Sequence, residues 1–357
     1  MLYALGSNGR GQLGLGHYND VAQPTEVALN PPTSTLERAK IAAGGNHTLL
    51  LLATGEVYAT GLDVHHRSAD DQSFADTSTT STYQRVQVTN GEQSVQIKFC
   101  SATWSASTFV TTDDSVYVCG NGASGELGLG LGVSDTPTPI VLNSFPPAGT
   151  TIVSLAACMG HTAVVLSTGE VYGWGNGRKG QLGLPPQRRW FPCRVEGVPF
   201  KAVRAVCGRE FTVIAGDPEE GKFVVLGSNK CHVKSRAPAS IIDWKDIAAS
   251  WGSIFVLLNS GRLLAWGRDD HGQLGPPNLD NVELFAAGSE HALAYTGAGK
   301  LRAWGWGEHG NCGPGVGPES DTKGRCNGIE VEGLVVGLGA GCATSWVFTK
   351  APTNDES

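Results

Sequence analysis

The chain has 357 residues, 49 of them glycine, with 40% apolar content and a formal charge of −7. Glycine at about twice its usual share, without a collagen-like period, implies many tight turns between short strands and leaves little room for helix. The acidic balance disfavours a nucleic-acid backbone as ligand, and no apolar run reaches the length of a transmembrane helix.

The first segment, LYALGSNGRGQLGLG (2–16), reads as an apolar strand ending in glycine, then a turn, then Gly-Gln-Leu-Gly. Strand character begins at once, so MLYALGSNGR has no signal-peptide pattern. IAAGGNHTLLLLATGE (41–56) introduces a second frame: a short strand, a small-residue turn, a second strand and a Thr-Gly hairpin. The hairpin leads straight into VYATG (57–61). After it the polar stretch HHRSADDQSFADTSTTST (65–82) reads as a mobile insertion.

Both frames recur along the chain. The first returns at 116–130, 171–184, 263–275 and, as LRAWGWGEHGNCG, at 301–313. The second returns clearly at 155–170, 247–262 and 285–300, and weakly at 99–115, 206–216 and 338–349, making seven copies. Strand anchors at Tyr3, Tyr58, Tyr117, Tyr172, Val224, Leu264 and Arg302 lie 38 to 59 residues apart. A period of that size built from strand and turn predicts an all-β, seven-bladed β-propeller. The copies at 57–115 and 223–262 lack Gly-Gln-Leu-Gly and count as degenerate blades. The chain ends on TSWVFT (344–349), which would pair with LYALG (2–6) and close the ring without an open edge. The expected organisation is one propeller domain over 1–349, with insertions at 65–82 and 311–328, and a disordered tail over 350–357.

Three G-x-G-x-x-G runs begin at Gly120, Gly175 and Gly305. None precedes a helix and all fall at the repeat spacing, so they read as turns and not as dinucleotide loops. His47, His161 and His291 share one slot of the second frame. They either face a ligand in the central channel or hydrogen-bond their own blade's backbone. The slot changes to Ala106, Phe211, Ile254 and Thr344 elsewhere, which excludes a symmetric metal ring. Nine cysteines, no two forming C-x-x-C, fit reduced thiols of the cytosol or nucleus, and the sequon at Asn46 then goes unused. Cys158 and His161 have no matching ligand pair, so no metal site, cofactor or catalytic residue is expected. Trp104, Trp251, Trp306 and Trp346 stand in or beside repeat loops, either as anchors for a protein partner or as caps on the blades.

The copies at 2–16, 180–183 and 272–275 resemble the regulator-of-chromosome-condensation repeat family. YALGSNGRGQLGLGH, AAGGNHTLLL, AAGSEHALAY, WGWGEHGNCGPG and GCATSWVF together resemble its alpha-tubulin suppressor, or killer-toxin-insensitivity, subfamily. That resemblance implies a non-catalytic scaffold, cytoplasmic or also nuclear, that forms a heterodimer with a small zinc- or iron-binding protein of the Cys-Ser-Leu type. It implies support, through that partner, for diphthamide synthesis on elongation factor two and for Elongator-dependent wobble-uridine modification of tRNA. The metal ligands would be the partner's, and direct contact with nucleic acid or membrane is not expected. The residues assigned to the partner-facing surface are Trp306, Glu308, His309, Asn311, Glu290, His291, Trp251, Trp104, Trp346 and His47. The competing reading is a guanine-nucleotide exchange factor for a small GTPase, for which Asp70 and Asp71 in the insertion are the sole wedge candidates. A third, chromatin attachment, is disfavoured by charge.

Overall fold

The computed structural model describes residues 1–29, 36–62, 79–277, 279–315 and 321–350. Seven antiparallel sheets of three or four strands follow one another around a central shaft, and a short hairpin, Thr89–Asn90 with Gln93–Ser94, stands between the second and third. Blade one is the closure blade and combines Leu334–Ala340, Thr344–Lys350, Leu2–Gly6 and Val21–Glu26, in that order from the shaft outward. The expected pairing of the termini is present, with Leu2 opposite Phe348 and Gly6 opposite Thr344.

Blades two, three, four and seven also have four strands. Blade two runs Lys40–Ala43, His47–Leu51, Val57–Leu62 and Thr79–Arg85; blade three runs Ile97–Ala102, Ala106–Thr111, Val116–Asn121 and Asp135–Val141. Blade four runs Ile152–Cys158, His161–Leu166, Val171–Gly175 and Arg189–Arg194; blade seven runs Val282–Ala287, His291–Thr296, Lys300–Gly305 and Asn327–Ile329. Blades five (Arg204–Cys207, Phe211–Ala215, Phe223–Gly227) and six (Trp244–Ala249, Ser253–Leu258, Leu263–Gly267) have three.

Apolar packing lies between blades. Seven hydrophobic clusters each join two neighbours, as where Val118 and Leu127 of blade three meet Val164 and Trp174 of blade four. Each blade therefore depends on both neighbours, and closing the ring buries the last two exposed sheet faces.

One glycine explains why every first-frame strand ends as it does. Gly6, Gly61, Gly120, Gly175, Gly227, Gly267 and Gly305 all have φ between 98° and 124°. A Cβ on any of them would lie 2.3–2.4 Å from a backbone carbonyl of the preceding second-frame turn. The residue after each glycine donates its N–H to that same carbonyl, as Trp306 does to Glu290 at 2.9 Å. The glycine thus locks the two loops of each blade together on one face of the ring.

The boundaries of the expected insertions shift. Residues 79–82 begin the outer strand of blade two, whereas 65–78, including Asp70 and Asp71, lie outside the described residues. Within 311–328, Asn311–Gly313 belong to the repeat turn, Asp321 bridges Trp306, and Asn327–Ile329 is the outer strand of blade seven. Of the expected tail, Lys350 ends a strand and 351–357 lie outside the described residues.

Candidate partner-binding face

In each blade the second-frame turn and the turn that follows the first-frame glycine, Gly-Gln-Leu-Gly where the signature is kept, open on the same face. Backbone hydrogen bonds link the second-frame turns about the shaft mouth in two runs, one over blades two to four and one over blades five, six, seven and one. Gly45 donates to Trp104 and Trp104 to Met159; Arg209 donates to Trp251, Trp251 to Ser289, and Ser289 to Gly341. Trp104 and Trp251 reach inward from these turns and touch each other over the shaft, a cavity of about 290 Å³.

The Gly-Gln-Leu-Gly turns are built alike from short-range polar contacts. Gln12, Gln181 and Gln273 are buried, and each side-chain oxygen accepts the backbone N–H two residues earlier, at 2.8–2.9 Å. In the seventh copy Asn311 takes the glutamine slot and donates to the Trp306 carbonyl, while Cys312 fills the leucine slot. Asn311 is fully buried, so the structure assigns it to the turn and not to the surface.

His47, His161 and His291 are buried too. Their partner is not their own blade's backbone but a hydroxyl on the next blade: Ser107, Thr212 and Ser345, at 3.0, 2.9 and 2.9 Å. Burial lowers each imidazole to about 4, which keeps it neutral. His47 and His291 are therefore interblade latches, not contact residues. In blade six the slot falls on Ser253, opposite Gly267, and not on Ile254 as the sequence alignment expected. A second latch runs the other way around the ring. The indoles of Trp174, Trp266 and Trp304 donate to carbonyls of Glu126, Val233 and Gln273 in the preceding blade, each at 2.9 Å. Trp346, assigned to the surface from sequence, is fully buried in the core between blades one and two.

On this face a cluster of charged and aromatic side chains spans blades six, seven and one. Arg268 makes a paired contact with Asp270 (2.7 and 2.6 Å) and a third with Glu290 (2.6 Å). Glu290, only 7% exposed, also accepts from Gln273 at 2.9 Å. Hydrogen bonding to Arg268 holds the Asp270 carboxyl down at about 2. Beside this cluster Trp306 stacks on His271, with ring centroids 4.6 Å apart and planes 16° apart. His309 donates to Asp20 of blade one at 2.7 Å, and Glu308 is exposed next to it. A groove lined by Arg209, Cys231, Trp251, Arg268 and Glu290 links the cluster to the shaft mouth. The sequence reading missed Arg209, Arg268, Asp270 and His271. Arg268 and Trp306 occupy the same repeat position, which was the available signal.

The shaft thiols are not poised as ligands. Burial pushes Cys100 and Cys158 up to about 12, and Cys207 higher still. Among the described residues no three His, Cys, Asp or Glu side chains are grouped to hold a metal ion.

Residues 1–347 match the family model described as the RCC1-like domain. The chain belongs to that family. It is 29% identical to the fission-yeast RCC1 repeat-containing protein C10F6.04 (Schizosaccharomyces pombe) over 83% of this chain and 84% of that one. It is 26% identical to the mouse secretion-regulating guanine nucleotide exchange factor over 77% of this chain and 61% of that one. The structure of Prp20p from Saccharomyces cerevisiae superposes with a TM-score of 0.79 over 99% of this chain and 92% of that one, at 21% identity, and bears on the fold alone.

These relatives correct one expectation. A propeller of this family named as an exchange factor overturns the inference that the chain does no catalysis. Nucleotide exchange breaks no covalent bond and needs no nucleophile or paired carboxylates. The lack of such motifs therefore never excluded it. The alpha-tubulin suppressor assignment is finer than what these similarities carry, which is membership of the RCC1 repeat family.

Proposed function

We propose that this chain is a protein-binding propeller whose loop face, around Trp251, Arg268, Glu290 and Trp306, seats a protein partner. The observation that carries this is the gathering of aromatic and charged side chains from blades five, six and seven around one groove. Aromatic and arginine side chains on a rigid scaffold are the usual anchors of protein interfaces. Following the subfamily resemblance, the partner is a small Cys-Ser-Leu-type zinc- or iron-binding protein, held as a heterodimer in cytoplasm or nucleus. Its support for diphthamide synthesis and Elongator-dependent tRNA modification would then run through control of that protein's stability or access. Native affinity purification from the source cells is the test. Recovery of one small Cys-rich protein at near-equal amount, and its loss with Trp306→Ala, is the expected result. Binding unchanged by Trp306→Ala would remove this face from the proposal.

A second reading is favoured by the named mouse relative: exchange on a small GTPase. Its test is release of a fluorescent guanine nucleotide from candidate GTPases on adding the purified chain. Acceleration that saturates with the chain's concentration supports it, and an unchanged rate across the GTPases recovered by purification rejects it.

A further inference from the structure

The chain is acidic overall, yet from Asn176 to Arg194 it holds five basic residues (Arg178, Lys179, Arg188, Arg189 and Arg194) and no acidic one. This segment covers the repeat turn and outer strand of blade four, across the ring from the Arg268–Glu290 cluster. Among the described residues, Arg178, Lys179, Arg188 and Arg189 make no ion pair, whereas Arg194 pairs with Glu170 and Glu196. Arg188 rests over the Trp190 ring, 5.7 Å from its centroid. Its charge is felt by Glu126, a half-buried acid with which it makes no ion pair.

Large apolar side chains stand among these charges. Leu131 is 77% exposed, Leu184 74% and Phe191 58%. Their placement is fixed by backbone. Gly130 donates to the Trp190 carbonyl at 2.9 Å, and a Cβ on Gly130 would lie 2.8 Å from the Phe191 ring. The tip of the Phe191 ring therefore meets the blade-three turn at the residue before Leu131. Arg189, which shares a strand face with Phe191, reaches the Leu184 carbonyl at 3.3 Å and so ties the Leu184 turn to that strand. Single exposed apolar residues are ordinary, but three set among unpaired cations on adjoining turns and one strand make a surface that gains from being covered.

We propose that this rim of blades three and four docks an acidic segment of a partner protein, one carrying a large apolar side chain for the Leu131–Phe191–Leu184 surface. The cations supply steering and register, and the apolar residues supply the buried contact. A nucleic acid would use the cations but leave the leucines exposed, and the chain's negative field opposes a long polyanion. The proposal does not rest on the loop-face reading, since the two surfaces share no residue.

The test is fluorescence anisotropy of the full chain with short labelled peptides in which glutamates surround leucine or phenylalanine. Parallel probes are the same peptides with serine for the apolar residues, a labelled oligouridine, and anionic phosphatidylserine vesicles. The expected result is saturable, salt-sensitive binding of the acidic apolar peptides. It should weaken roughly tenfold or more in Arg188→Glu/Arg189→Glu and in Phe191→Ser, and be unchanged in Trp306→Ala. Unchanged melting temperatures would show that the rim variants are folded. No peptide binding, equal binding of the serine peptides, or tighter binding of oligouridine or vesicles would each overturn the proposal.

Discussion

Trp104 and Trp251 come from blades three and six, on opposite walls of the shaft, and their rings meet with centroids 6.1 Å apart and planes tilted by 42°. Each indole hangs from a turn that is itself hydrogen-bonded to its neighbours, and Trp251 is backed by the Arg209 guanidinium at 5.4 Å. The pair closes one mouth of the shaft with side chains rather than backbone, so it joins blades that no strand or apolar cluster joins.

Two indoles this close couple their electronic transitions. The far-ultraviolet circular dichroism of the chain should show an exciton couplet that disappears equally in Trp104→Phe and in Trp251→Phe. The double variant should add nothing further. Such a contact is worth about 1 kcal/mol, so melting should change little. A couplet that survives either substitution would place its origin elsewhere.

The histidine latches give stability a pH dependence with a definite sign. His47, His161 and His291 are lowered from 6.5 to about 4 in the fold by burial. The unfolded chain therefore binds protons below pH 6.5 that the folded chain refuses until about pH 4, and stability falls as pH falls through that window. Above pH 6.5 the contribution is complete; below about 4 it is lost. Each latch contributes up to roughly 3 kcal/mol of this slope. Urea midpoints across the window should show a shallower slope in His291→Gln than in the parent. An unchanged slope would mean that His291 titrates normally.

Much of the fold was legible because glycine marks the one place where two loops of a blade meet too closely for a Cβ. Gly227 kept that mark in blade five even where Gly-Gln-Leu-Gly was gone. The site was legible only in part. Trp306, Glu308, Trp104 and Trp251 lie in loops that the repeat frames marked, and the glycine contacts bring those loops to one face. The burial of Trp346, Asn311, His47 and His291 was not marked in this way, because burial is decided by the neighbouring blade. Trp346 lies on a strand of blade one with its ring packed against blade two, and His291 spends a ring nitrogen on Ser345 of the next blade. The Arg268–Glu290 contact joins residues 22 apart on different blades, a pairing no local pattern encodes.

That contact sets up a directional test. Arg268→Ala leaves the Glu290 carboxylate buried with only Gln273 as donor, at a cost of roughly 2 kcal/mol, moderated by the partial exposure of Arg268. Adding Glu290→Gln removes the stranded charge and should recover about half of that loss. Guanidinium denaturation of parent, single and double variants measures it. A double variant less stable than the sum of the singles would show that the pair does not act as a unit.

Blade five offers the sharpest comparison of sequence with geometry. Its turn, GSNKCHV (227–233), lacks the Gly-Gln-Leu-Gly signature, yet it makes the same contacts. His232 donates to the Asn229 carbonyl at 2.9 Å as Gly11 donates to Asn8 at 2.8 Å, and Asn229 accepts from Lys234 as Asn8 accepts from Leu13. His232 therefore stands in the glycine slot with φ at 59°. A non-glycine residue there carries roughly 1 kcal/mol of strain, part of which glycine returns as entropy of the unfolded chain. His232→Gly should raise stability by about 0.5 kcal/mol. Gly272→Ala, in the equivalent slot of blade six, should cost more than 1 kcal/mol, because the new Cβ would lie 2.5 Å from the Gly324 backbone nitrogen as well as bearing the same φ strain. Paired melts of the two variants decide it. Equal and opposite shifts would mean that φ strain alone governs the slot, whereas a larger loss in Gly272→Ala assigns the difference to the close packing of blade seven on that turn.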